Sequence, residues 1–121
     1  MNIRPVEITN EFIKVLEQHL EQLVSGQADE YLEIREIADM LHIHPTHLSN
    51  TIKEVTGKSP CEICHEKTIE KAKELLADDS RSISYVARQL TYDPSNFTKY
   101  FKNRTGVTPS EYKKSIKEFK F

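Results

Sequence analysis

Six side chains able to ligate a metal or act as nucleophiles fall within one short part of this 121-residue chain: His42, His44 and His47 in "HIHPTH", and Cys61, Cys64 and His65 in "PCEICHEK". The second stretch reads C-x-x-C-H, the spacing by which c-type haem is held covalently. Thiolates and imidazoles together would also suit zinc. Cys61, at the second position of a helix begun by Pro60, could have its thiol activated by the helix dipole, with Cys64 one turn on. Haem, a metal and a thiol switch are the chemistries to weigh, and the choice depends on the elements that carry these residues.

The first twenty residues, "MNIRPVEITNEFIKVLEQHL", interrupt every apolar run with charge, so they hold neither a signal peptide's apolar core nor a membrane span, and the expected location is the cytoplasm. Stable disulfides are rare there, and covalent haem attachment normally happens elsewhere. Apolar residues make up 37% and charged residues 30% of the chain, with three glycines and five prolines, which suits one compact, mostly helical domain. The net charge of −2 conceals segregation. Residues 1–80 hold 8 Lys/Arg against 16 Asp/Glu, whereas residues 81–121 hold 9 against 3. A polyanion would be met by the basic end.

The chain repeats itself at an offset of 49. Residues 34–63, "IREIADMLHIHPTHLSNTIKEVTGKSPCEI", match residues 83–112, "ISYVARQLTYDPSNFTKYFKNRTGVTPSEY", at nine of thirty positions, among them Ala38/Ala87, Leu41/Leu90, Pro45/Pro94, Gly57/Gly106 and Pro60/Pro109. In each copy, apolar spacing gives a short helix (34, 37, 38, 41 and 83, 86, 87, 90). A three-residue break follows, then a second helix opened by proline and stopped by glycine. Short helix, tight turn and second helix make a helix-turn-helix unit.

On a helical wheel, Leu48, Ile52 and Val55 share one side of the second helix in copy one, and Phe97 and Phe101 the equivalent side in copy two. These are expected in the core. The opposite face carries Thr46, Ser49, Asn50 and Lys53, matched by Ser95, Thr98, Lys99 and Lys102, with His47 and Asn96 beside them. Hydrogen-bonding and cationic groups without a carboxylate are what a helix entering a DNA major groove presents to phosphates and base edges. The predicted DNA-binding set is therefore Thr46, His47, Ser49, Asn50, Lys53, Ser95, Asn96, Thr98, Lys99 and Lys102.

The repeat gives the opening residues plainer roles. His44 aligns with the helix cap Asp93, His47 with Asn96, and Cys61 with Ser110, while Cys64 falls where a linker helix packs. Ser59 with Glu62 is a capping box around Pro60, repeated by Thr108 with Glu111. The linker helix from Pro60 to about Ala77 is roughly 27 Å long at ~1.5 Å per residue, enough to hold two recognition helices about one DNA turn apart. Ser82 is placed to cap the helix after it. Upstream, Phe12, Val15, Leu16, Leu20 and Leu23 give an amphipathic helix from about Asn10 to Val24, with Glu11, Glu17 and Glu21 expected on its outer face. The last helix directs Tyr112, Ile116 and Phe119 to the core and leaves Lys113, Lys114, Lys117 and Lys120 solvated or near phosphate.

This layout, and above all "FTKYFKNRTGVTPSEY" within "SISYVARQLTYDPSNFTKYFKNRTGVTPSEYKK", resembles the DNA-binding domain of the AraC/XylS family of bacterial transcription regulators, over about residues 10–118. The resemblance implies an all-α, homeodomain-like tandem repeat of about seven helices. Residues 1–58 would form the N-terminal helix and first helix-turn-helix unit, 59–77 the linker helix, and 78–121 the second unit and C-terminal helix. Helices at about 45–55 and 94–103 would enter successive major-groove segments. Family base contacts fall on Thr46, Ser49 and Asn50, and on Ser95, Thr98 and Lys99. The sequence departs from the family pattern at His44, where a serine cap is usual, at Asn50 and Thr68, where arginine is frequent, and at Thr91, where glycine is common. The first unit is thus poor in fixed charge, and the second is expected to supply most of the salt-dependent binding.

The expected protein is a cytoplasmic transcription regulator that binds double-stranded DNA, an activator with RNA polymerase as a second candidate partner. The family usually joins this domain to an effector-binding or dimerisation domain, so the chain is expected to be a stand-alone monomeric regulator or one domain of a longer one. No cofactor, metal or catalytic residue is predicted, since no nucleophile, base and orienting acid fall together and no glycine-rich phosphate loop is present. The competing reading is a protein-interaction or thiol- or metal-responsive module.

Overall fold

The computed structural model describes residues 4–119, apart from the side chain of Phe119. The expectations for Phe119 and Lys120 lie outside the described residues. Seven helices follow one another: α1 (Pro5–Ser25), α2 (Ile34–Met40), α3 (Pro45–Thr56), α4 (Pro60–Leu76), α5 (Ile83–Gln89), α6 (Pro94–Thr105) and α7 (Pro109–Phe119). Among the described residues there is no strand, and no helix is long and apolar enough to cross a membrane.

The repeat extends to backbone detail. His42 and Thr91, equivalent positions in the two turns, both adopt positive φ (58° and 66°). Gly57 and Gly106 end α3 and α6 in the left-handed region, at φ 76° and 86°, where a Cβ would be strained. Thr56 and Thr105 donate their hydroxyls to the carbonyls of Ile52 and Phe101, both at 2.8 Å. The two capping boxes also form. The Ser59 N–H donates to Glu62 (3.1 Å) and the Thr108 N–H to Glu111 (2.8 Å), with reciprocal bonds back from the glutamate amides.

Two apolar clusters make the core. One unites Ile8, Phe12 and Leu16 of α1 with Ile37, Ala38, Leu48, Ile52 and, from the start of α4, Ile63. The other unites Leu20 and Leu23 of α1 with Ile69, Ala72, Leu75 and Leu76 of α4 and with Val86, Ala87, Leu90, Phe97 and Phe101. Each fully buried side chain of this size contributes about 1.5–3 kcal/mol. The two longest helices, α1 and α4, thus run through both cores. α1, grouped by sequence with the first unit, also helps build the second.

Four expectations change. α1 begins at Pro5, five residues earlier than read from the sequence, because proline is tolerated at the first helical position and Ile8 continues the buried stripe. Val55 is 37% exposed rather than core: the last turn of α3 runs past the packed region, and its counterpart in the repeat is the exposed Arg104. Glu17 and Glu21 do not simply face solvent, since they pair with Lys67 (3.3 Å) and Lys71 (2.7 Å) and tie α1 to α4. Lys113 is neither solvated nor free for phosphate. Its ammonium donates to the carbonyls of Leu76 (2.9 Å), at the C-terminal end of α4, and of Arg81 (3.1 Å), in the loop before α5, holding the two together.

Candidate nucleic-acid interface

The start of α3 is set by Pro45 at its first position and by His44, whose Nδ1 accepts the Thr46 N–H at 3.1 Å. An imidazole accepts there only when that nitrogen is unprotonated. The start of α6 is built the same way from Pro94 and Asp93, which accepts from the Ser95 N–H (3.2 Å) and hydroxyl (2.6 Å). The Ser95 hydroxyl and backbone N–H hold the Asp93 carboxyl below the usual carboxylate range. Both helices bury one side only: Leu48, Thr51 and Ile52 in α3, Phe97 and Phe101 in α6.

The opposite sides present the predicted set. Thr46, His47, Asn50 and Lys53 are exposed on α3, as are Ser95, Asn96, Lys99 and Lys102 on α6, while Ser49 and Thr98 are half-buried at the edge. The Thr98 hydroxyl donates to the Pro94 carbonyl (3.1 Å), so toward an outside partner it can act only as an acceptor. Glu54 is also exposed on α3, beside the single cation Lys53. On α6, Arg104 joins Lys99 and Lys102 in exposure; its counterpart in copy one is Val55, expected on the core side, so the wheel does not place Arg104 with the polar set.

The cysteine and histidine candidates do not converge. Among the described residues no three His, Cys, Asp or Glu groups come together as a metal cluster. Cys61 and Cys64 are both free, the first exposed and the second half-buried. Burial pushes the Cys64 thiol up to about 12, which keeps it protonated at neutral pH. His65 turns toward α6, with Nδ1 2.7 Å from the Tyr100 hydroxyl.

A helix-turn-helix domain family model matches residues 37–115. The uncharacterized transcriptional regulator YobQ of Bacillus subtilis is 32% identical over 88 residues, covering 72% of this chain and 36% of that protein. The chain therefore spans little more than a third of that relative's length. The C-terminal domain of AraT, a response regulator from Geobacillus stearothermophilus, superposes with a TM-score of 0.75 at 28% identity, covering 89% of this chain and 84% of that one. The DNA-binding domain of AdpA, solved in complex with a target DNA, shares the fold with a TM-score of 0.71 at 19% identity, over 89% of this chain and 94% of that one. With its duplicated units, their matching caps and turns, and a family model covering most of its length, the chain belongs to the AraC-type helix-turn-helix family.

Proposed function

We propose that the chain binds double-stranded DNA sequence-specifically and regulates transcription, with α3 and α6 entering successive major-groove segments on one face of the duplex. The observation that carries this reading is the recurrence, on two helices of identical construction, of an exposed polar face whose cap, turn and stop all repeat. Thr46, His47, Ser49, Asn50 and Lys53 form the first contact set, and Ser95, Asn96, Thr98, Lys99 and Lys102 the second. Residues 1–58 and 78–121 act as two readers held apart by residues 59–77, and the chain binds an asymmetric site as a monomer. The acidic α1 surface around Glu11 is where RNA polymerase would be met if the protein activates.

The two sets divide the work. Lys99 and Lys102, with Arg104 nearby, meet phosphates in the second unit, whereas Asn50 suits the paired donor and acceptor of an adenine edge in the first. The test is in vitro selection of a duplex, followed by affinity against salt for two variants. Lys99→Ala is expected to lower the salt slope by about 1. Asn50→Ala should leave the slope intact and relax preference at one base by about 1–3 kcal/mol. Equal losses of slope would overturn the division, and no preference for the selected duplex would overturn the function.

A further inference from the structure

Between the two units lies a seam of rings that neither contact set uses. Tyr100, next to Lys99 on α6, stacks on Tyr92 of the preceding turn with centroids 5.1 Å apart and planes 16° from parallel. Tyr92 meets the ring of Tyr31 from the α1–α2 loop at 6.2 Å, and Tyr31 meets His19 of α1 at 6.1 Å. On its other side Tyr100 reaches His65 of α4, with rings 5.5 Å apart and the 2.7 Å hydrogen bond between Nδ1 and the hydroxyl. His65 sits at the changeover along α4, after Ile63, which belongs to the first core, and before Ile69, which belongs to the second. Burial, reinforced by the nearby Arg104 charge, disfavours the imidazolium, and burial raises the Tyr100 phenol, so the bond joins two neutral groups.

α6 is otherwise held by Phe97 and Phe101, which share one apolar cluster with Val86, Ala87 and Leu90 around α5 and with Ile69 and Ala72 of α4, non-directional packing that resists separation more than sliding or rotation. A hydrogen bond adds direction, since it weakens steeply with angle. We propose that the His65–Tyr100 hydrogen bond is a positioning contact: it fixes where the second recognition helix stands relative to the first and so sets the half-site spacing that the protein accepts on DNA. The inference rests on the two-helix reading above. One base pair added between half-sites shifts them by about 3.4 Å and turns them by about 34°, so a small change in helix placement alters which spacing fits. It also gives the histidine of C-x-x-C-H a role that needs no cofactor.

The test uses Tyr100→Phe, which keeps the stack and removes only the hydroxyl, His65→Leu, which removes the other partner, and His65→Asn, whose amide can stand in for Nδ1. Affinity is measured for the selected duplex, for the same duplex with its spacer changed by one base pair either way, and for a duplex carrying the second half-site alone. In Tyr100→Phe and His65→Leu the ratio between best and altered spacers should narrow about three- to tenfold, the worth of one hydrogen bond. Half-site affinity should stay within about twofold, and His65→Asn should restore the wild-type ratio. An unchanged ratio in Tyr100→Phe, or half-site affinity falling in step with the ratio, overturns the proposal. Wild-type protein that does not distinguish selected from scrambled duplex overturns the function reading instead.

Discussion

In the first unit α3 is capped by an imidazole, exposes one lysine beside Glu54 on its outer side, and packs on Ile8, Phe12, Leu16 and Ile37. In the second, α6 is capped by a carboxylate, exposes Lys99, Lys102 and Arg104, and packs through two phenylalanines with Tyr92, Tyr100 and Tyr112 around them. Cap and stop nevertheless fall at equivalent positions, and even the strained turn residue recurs at the same place, histidine once and threonine once. Backbone geometry here depends on what a position must do: accept an N–H, adopt positive φ, or lack an N–H. Several residue types satisfy each demand, so the outer faces were free to diverge in charge while the helices stayed where they are.

The largest expected effect tests whether the two units are energetically one. Phe97→Ala should cost about 3–5 kcal/mol and Leu48→Ala about 2–5 kcal/mol, and each should move a single cooperative transition in chemical denaturation, because α1 and α4 belong to both cores. Two separated transitions would break that comparison.

Position 64 in the first copy corresponds to 113 in the second, a half-buried thiol against a lysine that closes a helix end. Lys113→Ala should lower stability by about 1.5–3 kcal/mol, because it leaves the carbonyls of Leu76 and Arg81 without their charged donor. Lys114→Ala, at an exposed neighbour, should change little. If the two behave alike, Lys113 is only part of the basic surface.

A smaller effect separates the two turns. Threonine is β-branched and tolerates positive φ worse than histidine does, so Thr91→Gly should raise stability by about 1 kcal/mol, and His42→Gly by less. Thermal melts of the pair would show it. The last prediction carries no stability change: alkylation of native protein at neutral pH should label exposed Cys61 and leave Cys64, whose thiol burial holds protonated, until the chain unfolds.

The features legible in the sequence are local and doubled. Pro45, Gly57 and the Ser59–Glu62 box each act within a few residues, and each has a counterpart 49 positions on that confirms its meaning. The exposed polar faces of α3 and α6 could be read for the same reason. Val55 could have been placed correctly too, since its counterpart is an arginine. The repeat could not show what α1 does, because that helix lies outside it. Nor could it show contacts unique to the assembled chain: Glu17 to Lys67, Lys113 to the end of α4, and His65 to Tyr100. These partners are 35 to 50 residues apart, and no periodicity links them.

α4 closes the first unit with its opening turn and, with its remainder, serves the second as a base. Substitutions on its exposed side leave that arrangement alone, but a change of length cannot. One residue inserted between Ile63 and Ile69 would advance all that follows by about 1.5 Å and rotate it by about 100°. Ile69, Ala72 and Leu76 would swing off their core, and the second unit would turn about the first like a crank. Single substitutions can therefore change the exposed face of α3 or α6 without moving the other, whereas an insertion or deletion keeps both units in place only in the loops on either side of this helix.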